Sequence, residues 1–94
     1  MRIVWSPSAR RRAEQAVDFI AEDRPRGAVE WFDGLIERVE LLRTLPDQGR
    51  MVPEWGDEAV REVLYEPFRV IYEVFPDHVE ILVLSHYRQE LGDR

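Results

Sequence analysis

Pro67-Phe68-Arg69-Val70-Ile71-Tyr72-Glu73-Val74, followed by His78-Val79-Glu80-Ile81-Leu82-Val83-Leu84-Ser85-His86-Tyr87-Arg88, is the stretch that decides the fold. Phe68, Val70, Tyr72 and Val74 alternate with Arg69, Ile71, Glu73 and Phe75; Val79, Ile81 and Val83 alternate with Glu80, Leu82 and Leu84. Side chains on a strand point to opposite faces in turn, so this period of two predicts two β-strands. Pro76-Asp77 supplies the turn between them, and Arg61-Glu62-Val63-Leu64 reads as a further strand just upstream. Strands joined by short turns pair antiparallel.

The first half is helical. Arg2 to Trp5 reads as a short strand; Ser6 then serves as N-cap and Pro7 as first helical residue. Ala13, Ala16, Val17 and Ile20 follow helical spacing, and their small size implies close approach to another element. Asp23-Arg24-Pro25 ends that helix. A second helix is predicted from Arg26 to Leu45, with Trp31, Phe32, Leu35, Ile36, Val39 and Leu42 on its apolar face. Trp31 and Phe32 are expected in the core. Pro46-Asp47-Gln48-Gly49 is a turn, and residues 50 to 59 read as an irregular loop. The expected class is α+β in the order β-α-α-β-β-β: a helical hairpin on one face of a small antiparallel sheet, the other face partly open. At 94 residues the chain is expected to form one domain, 1–94.

Composition excludes several kinds of chemistry. There is no cysteine, so disulfides and thiolate catalysis are out, and the two histidines show no metal-ligand spacing. No cofactor and no metal are expected. No apolar run approaches the roughly 20 residues of a membrane span, and Met1 to Trp5 lacks the apolar region of a signal peptide. The expectation is a cytoplasmic protein with no membrane attachment. All 13 basic residues are arginine, and the net charge is −6. That balance argues against broad nucleic-acid binding, although Arg2, Arg10, Arg11 and Arg12 open the chain without an acid among them.

The candidate site lies at one end of the sheet. If Val74 pairs with Val79, Arg69 falls opposite Leu84 and shares a face with His86; Glu73 falls opposite Glu80. A guanidinium beside an imidazole suits phosphate binding or proton transfer. Tyr87 and Arg88 add a phenol and a second guanidinium, and Glu54 is a loop carboxylate placed to act as a base. The structural alternatives are an ion pair of Arg69 with an acid such as Glu62, a polar strand end at His86, a Glu54 partnered by Arg50 or Arg61, and a loose tail from Gln89 to Arg94. Trp55, Arg61 and Arg88 are candidates for contact with a partner.

The ordered set Leu45-Pro46, Gly49-Arg50, Val52-Pro53-Glu54, Arg61-Glu62, Phe68-Arg69-Val70-Ile71-Tyr72 and Ile81-Leu82-Val83-Leu84, leading to His86 and Arg88, resembles the RelE/ParE superfamily of type II toxin–antitoxin toxins. The resemblance covers nearly the whole chain and is strongest to the ParE branch. It implies a toxin, linked to growth arrest and plasmid stabilization, that a cognate antitoxin holds inactive. Operator DNA would be contacted only through the antitoxin. In the ParE branch the target is DNA gyrase, and the toxin is not an enzyme. In the RelE branch the toxin is a ribosome-dependent mRNA endonuclease, in which Arg69, His86, Tyr87 and Glu54 resemble site residues. The lysines of RelE-type cleavage have no counterpart here, and Leu64 and Tyr65 stand near where that branch carries an arginine. A third reading is a non-toxic relative that binds without acting.

Overall fold

A computed structural model describes residues Met1–Arg94. Strand β1 (Arg2–Trp5) leads into helices α1 (Pro7–Asp23) and α2 (Pro25–Glu40), which continues as a 3-10 turn, Leu41–Arg43. Strands β2 (Arg50–Met51), β3 (Val60–Tyr65), β4 (Phe68–Val74) and β5 (His78–His86) follow. The helical hairpin covers one face of a five-stranded sheet in the order β1-β5-β4-β3-β2. The expected α+β class and element order hold, with two refinements. Arg50–Met51, expected as loop, pairs with Arg61 and Glu62 as an edge strand. The sheet is also mixed, because β1 runs parallel to β5. No tight turn joins β1 to a neighbour, so nothing forces an antiparallel pairing there.

Ser6 caps α1 as its sequence position predicts: its Oγ accepts the Ala9 N–H at 3.0 Å. The same hydroxyl donates to the Leu82 carbonyl at 2.7 Å, and the Ser6 N–H donates to the Ile81 carbonyl at 2.9 Å. One residue therefore starts the helix and fastens it to β5. Ala9, Ala13 and Ala16 are the buried residues of α1, and their lack of bulk lets the helix lie close on the sheet. The main core joins them to Leu35, Val39 and Leu42 of the α2 region and to Val63, Phe68, Val70, Tyr72, Val79, Ile81 and Leu84 of the sheet. Trp31 is half-buried at its margin, but Phe32, expected inside, is 40% exposed on the outer side of the hairpin.

Two glycines mark close approaches. A Cβ on Gly49 would lie 2.5 Å from both the Glu62 carbonyl oxygen and the Tyr72 hydroxyl. Tyr72 is fully buried, and its hydroxyl accepts the Gly49 N–H at 3.0 Å and donates to the Pro46 carbonyl at 2.8 Å, so it closes the turn over the core. On α2, Gly34 admits the Tyr65 hydroxyl, which donates to the Trp31 carbonyl at 2.7 Å. Burial raises the pKa of both phenols, which keeps them protonated and donating.

The register between β4 and β5 changes midway. Val74 pairs with Val79 and Glu73 with Glu80, as expected. Ile71, however, pairs with Val83 while Tyr72 pairs with Ile81, leaving Leu82 as an extra residue on β5. This β-bulge reverses the facing of everything beyond it. Arg69 consequently pairs with Ser85 rather than Leu84, and His86 pairs with Phe68.

Candidate functional site

On the face away from the helices, Arg69 is the centre of an ionic cluster. It projects from β4 and is only 8% exposed. Its Nε and one terminal nitrogen donate to Glu62 of β3, at 2.9 and 2.6 Å. Both terminal nitrogens donate to Glu54, at 2.6 and 2.8 Å. Arg50 approaches Glu62 at 3.6 Å from the edge strand. A planar guanidinium fits a carboxylate through paired bonds, and here it does so twice. The bonds from Arg69 hold Glu54 well below the usual carboxylate range, at about 2. The two carboxylates in turn raise the Arg69 pKa further above its already high value. No buried side-chain nitrogen or oxygen is left without a partner.

This geometry bears on the expected roles. Glu54 is a carboxylate already committed to Arg69, and an acid held near 2 is a weak base at neutral pH. Its partner is Arg69, rather than Arg50 or Arg61. Tyr87 is half-exposed and lines a shallow cavity of about 490 Å³ with Arg50, Pro53, Glu54, Leu64 and Arg69. His86 does not join them. The bulge at Leu82 turns it to the helix side, where it meets the Phe68 ring edge-on with centroids 6.1 Å apart. Its Nδ1 accepts the Arg88 backbone N–H at 3.1 Å. The expected juxtaposition of Arg69 and His86 is therefore corrected: the two side chains leave opposite faces.

The partner candidates also find places. Arg61 donates to the Gly49 carbonyl at 3.0 Å and lies 3.8 Å from Asp47, so it braces the turn. Trp55 is half-buried, packs on a small cluster of Val52, Val60 and Ile71, and donates to the Gly92 carbonyl at 2.9 Å. Arg88 is exposed, with its guanidinium carbon 5.5 Å from the Tyr87 ring centroid.

The largest cavity is elsewhere. A groove of about 730 Å³ runs between α1, the start of α2 and the β3–β4 turn, with Ala16, Phe19, Ile20, Trp31 and Phe68 among its lining. Arg12, Arg24, Glu66 and His86 are the ionisable residues that line it. The Arg12 guanidinium lies over the Phe68 ring, 4.9 Å from its centroid. Phe19 is 75% exposed, a large apolar ring left in water.

A family model described as the ParE toxin of the type II toxin-antitoxin system, parDE, matches residues 3–91. The chain belongs to the ParE toxin family.

This ParE-family chain also resembles a solved structure titled "Chromosomal ParDE TA system from P. aeruginosa". The TM-score is 0.76 over 92% of this chain and 95% of that one, at 22% sequence identity, which is a likeness of fold. No curated protein matches the chain. Family membership makes this protein a toxin component of a type II toxin–antitoxin system, a class that implies an antitoxin partner. No helix is long and apolar enough to cross a membrane. Phe19 carries no motif in the sequence, and Arg24 reads there only as part of a helix end. The available signal was Phe19 beside Ile20 on a helix whose buried positions are all alanine.

Proposed function

We propose that this ParE-family protein is a cytoplasmic toxin that acts by binding DNA gyrase, without cleaving nucleic acid itself, and that a cognate antitoxin neutralises it. The observation that carries this reading is the double engagement of Arg69 by Glu54 and Glu62 while His86 faces the opposite side of the sheet. A phosphate-binding arginine has to present donors to the substrate, and this guanidinium already commits four of its five N–H groups to two carboxylates. The net charge of −6 adds a general repulsion from RNA.

The antitoxin's seat in this reading is the groove beside α1. Its apolar lining, with two arginines (Arg12 and Arg24) against one acid (Glu66), suits an amphipathic segment that carries carboxylates along one side. Charge on the rim sets the rate of encounter, and burial of Phe19 supplies holding energy. Operator DNA is reached through the antitoxin.

The mRNA-endonuclease reading draws on one observation: Tyr87, Arg69, Arg50 and Glu54 share a cavity. A supercoiling assay and a translation assay on the same purified protein separate the two. Gyrase inhibition with accumulation of cleaved gyrase–DNA complexes is the expected result, unchanged by His86→Gln or Tyr87→Phe. Codon-phased mRNA cuts that vanish in either variant would overturn the proposal. Arg69→Ala is the wrong test, because it dismantles the ionic cluster along with any chemistry.

A further inference from the structure

The segment after β5 stays on the protein. Gln89 turns the chain back, with its N–H donating to the His86 carbonyl at 2.9 Å and its side-chain oxygen accepting the His86 N–H at 3.2 Å. Leu91 then packs on the Val52, Val60 and Ile71 cluster, beside Trp55, Leu82 and Val83. The Gly92 carbonyl accepts the Trp55 indole N–H at 2.9 Å. Arg94 donates to Asp57 at 2.7 Å and also to Glu73.

These contacts reach two separate elements. Trp55 and Asp57 sit in the loop between β2 and β3, whereas Glu73 sits on β4. Glu73 stands opposite Glu80 in the ladder, a like-charge pair that is unfavourable alone. Arg94 brings the missing positive charge. Apart from the Gln89 turn and the Gly92 carbonyl, no backbone bond holds the segment, so its closure depends on one leucine, one indole and one guanidinium. The Arg94 and Asp57 side chains are 39% and 43% exposed. Ion pairs as wet as the one to Asp57 are weak and are screened by salt, and the pair to the less exposed Glu73, at 18%, shares the same solvent-exposed guanidinium.

We propose that residues 89–94 form an ionic strap that closes over the second face of the sheet and opens as ionic strength rises. Opening uncovers Ile71 and Val83 and frees the loop that carries Trp55 and Asp57. This holds whatever the toxin's target.

Amide hydrogen exchange on the full chain tests it. Trp55, Gly56 and Ala59 report on the loop, because their N–H groups bond to the Val52 carbonyl and the Asp57 side chain. Raising NaCl from about 0.1 M to about 1 M cuts the screening length from about 10 Å to about 3 Å. In the wild type this should speed exchange at those amides about fivefold, leaving α1 and α2 unchanged. Arg94→Gln should exchange fast at low salt and respond no further, and Arg94→Lys should restore part of the protection. Equal exchange in wild type and Arg94→Gln would overturn the proposal, as would an equal salt response in both. A uniform rise across the helices would overturn it too, since that reports general destabilisation and no strap.

Discussion

Arg69 and His86 lie at the same end of the sheet on adjacent strands, yet they leave it from opposite faces. Between them the single extra residue Leu82 decides which chemistry can assemble. On one face Arg69 is closed upon Glu54 and Glu62; on the other His86 lines an apolar groove.

Arg69→Ala is expected to destabilise the fold by about 3 kcal/mol, because it removes both hydrogen bonds to the carboxylate of Glu62, which is 2% exposed, and leaves it only the longer contact with Arg50 at 3.6 Å. The double variant Arg69→Met/Glu62→Leu should recover most of that loss, since a well-packed apolar pair can replace a buried ionic one. Urea unfolding measures both. A loss below about 1 kcal/mol in the single variant would show that the cluster holds little together.

The acid limb of the stability curve should report Glu54. Its pKa falls from 4.5 unfolded to about 2 folded, chiefly through its bonds with Arg69. A carboxylate whose pKa is depressed by folding stabilises the native state above its unfolded pKa. That contribution disappears as pH falls through the folded value. Stability should therefore slope downward between pH 4.5 and about 2. Denaturant titrations of wild type and Glu54→Gln should show a shallower slope in the variant; identical slopes would contradict the assignment.

The turn at Gly49 gives a test of packing. Gly49→Ala is expected to cost about 1–3 kcal/mol, because the new methyl meets the Glu62 backbone oxygen and the Tyr72 hydroxyl. Tyr72→Phe should cost a similar amount, roughly 1–3 kcal/mol, by leaving the buried Gly49 N–H without its acceptor. Gly92→Ala, with no atom near the added carbon, serves as the control. Thermal unfolding of the three variants gives the comparison.

Phe19→Asp separates recognition from folding. The ring is 75% exposed, so stability should change by no more than about 0.5 kcal/mol. Titration calorimetry with the cognate antitoxin should nonetheless show binding weakened at least about tenfold, which is about 1.4 kcal/mol. Unaltered affinity would move the antitoxin's seat off this groove.

Much of the architecture was legible because local signals agreed. Ser6-Pro7 announced a helix start, Pro25 bounded the hairpin, and the alternation through Phe68–Val74 announced a strand. The turn at Pro76-Asp77 also predicted the pairs nearest to it. What escaped was non-local. Leu82 is apolar and so are its neighbours, so the alternation through β5 carries no mark of an extra residue; the bulge is visible only in the pairing of Tyr72 with Ile81 and of Ile71 with Val83. Arg50–Met51 is too short to show a period. Phe32 has the residue type of a core position but an outward place on the helix. At the site, the Arg69–Glu62 pairing was among the readings open from sequence, whereas the addition of Glu54 required the loop to fold back over the sheet.

The grip of Ser6 on Leu82 ties the phase of the last strand to the opening of the first helix, some of the most distant positions in the chain. A chain with the same C-terminal letters but one residue fewer in this interval would present them to different surroundings. Matching such chains by text alone would then equate an imidazole in a groove with one beside a guanidinium. The pairing of Tyr72 with Ile81 and of Ile71 with Val83, rather than the letters that follow, decides which face the final histidine takes.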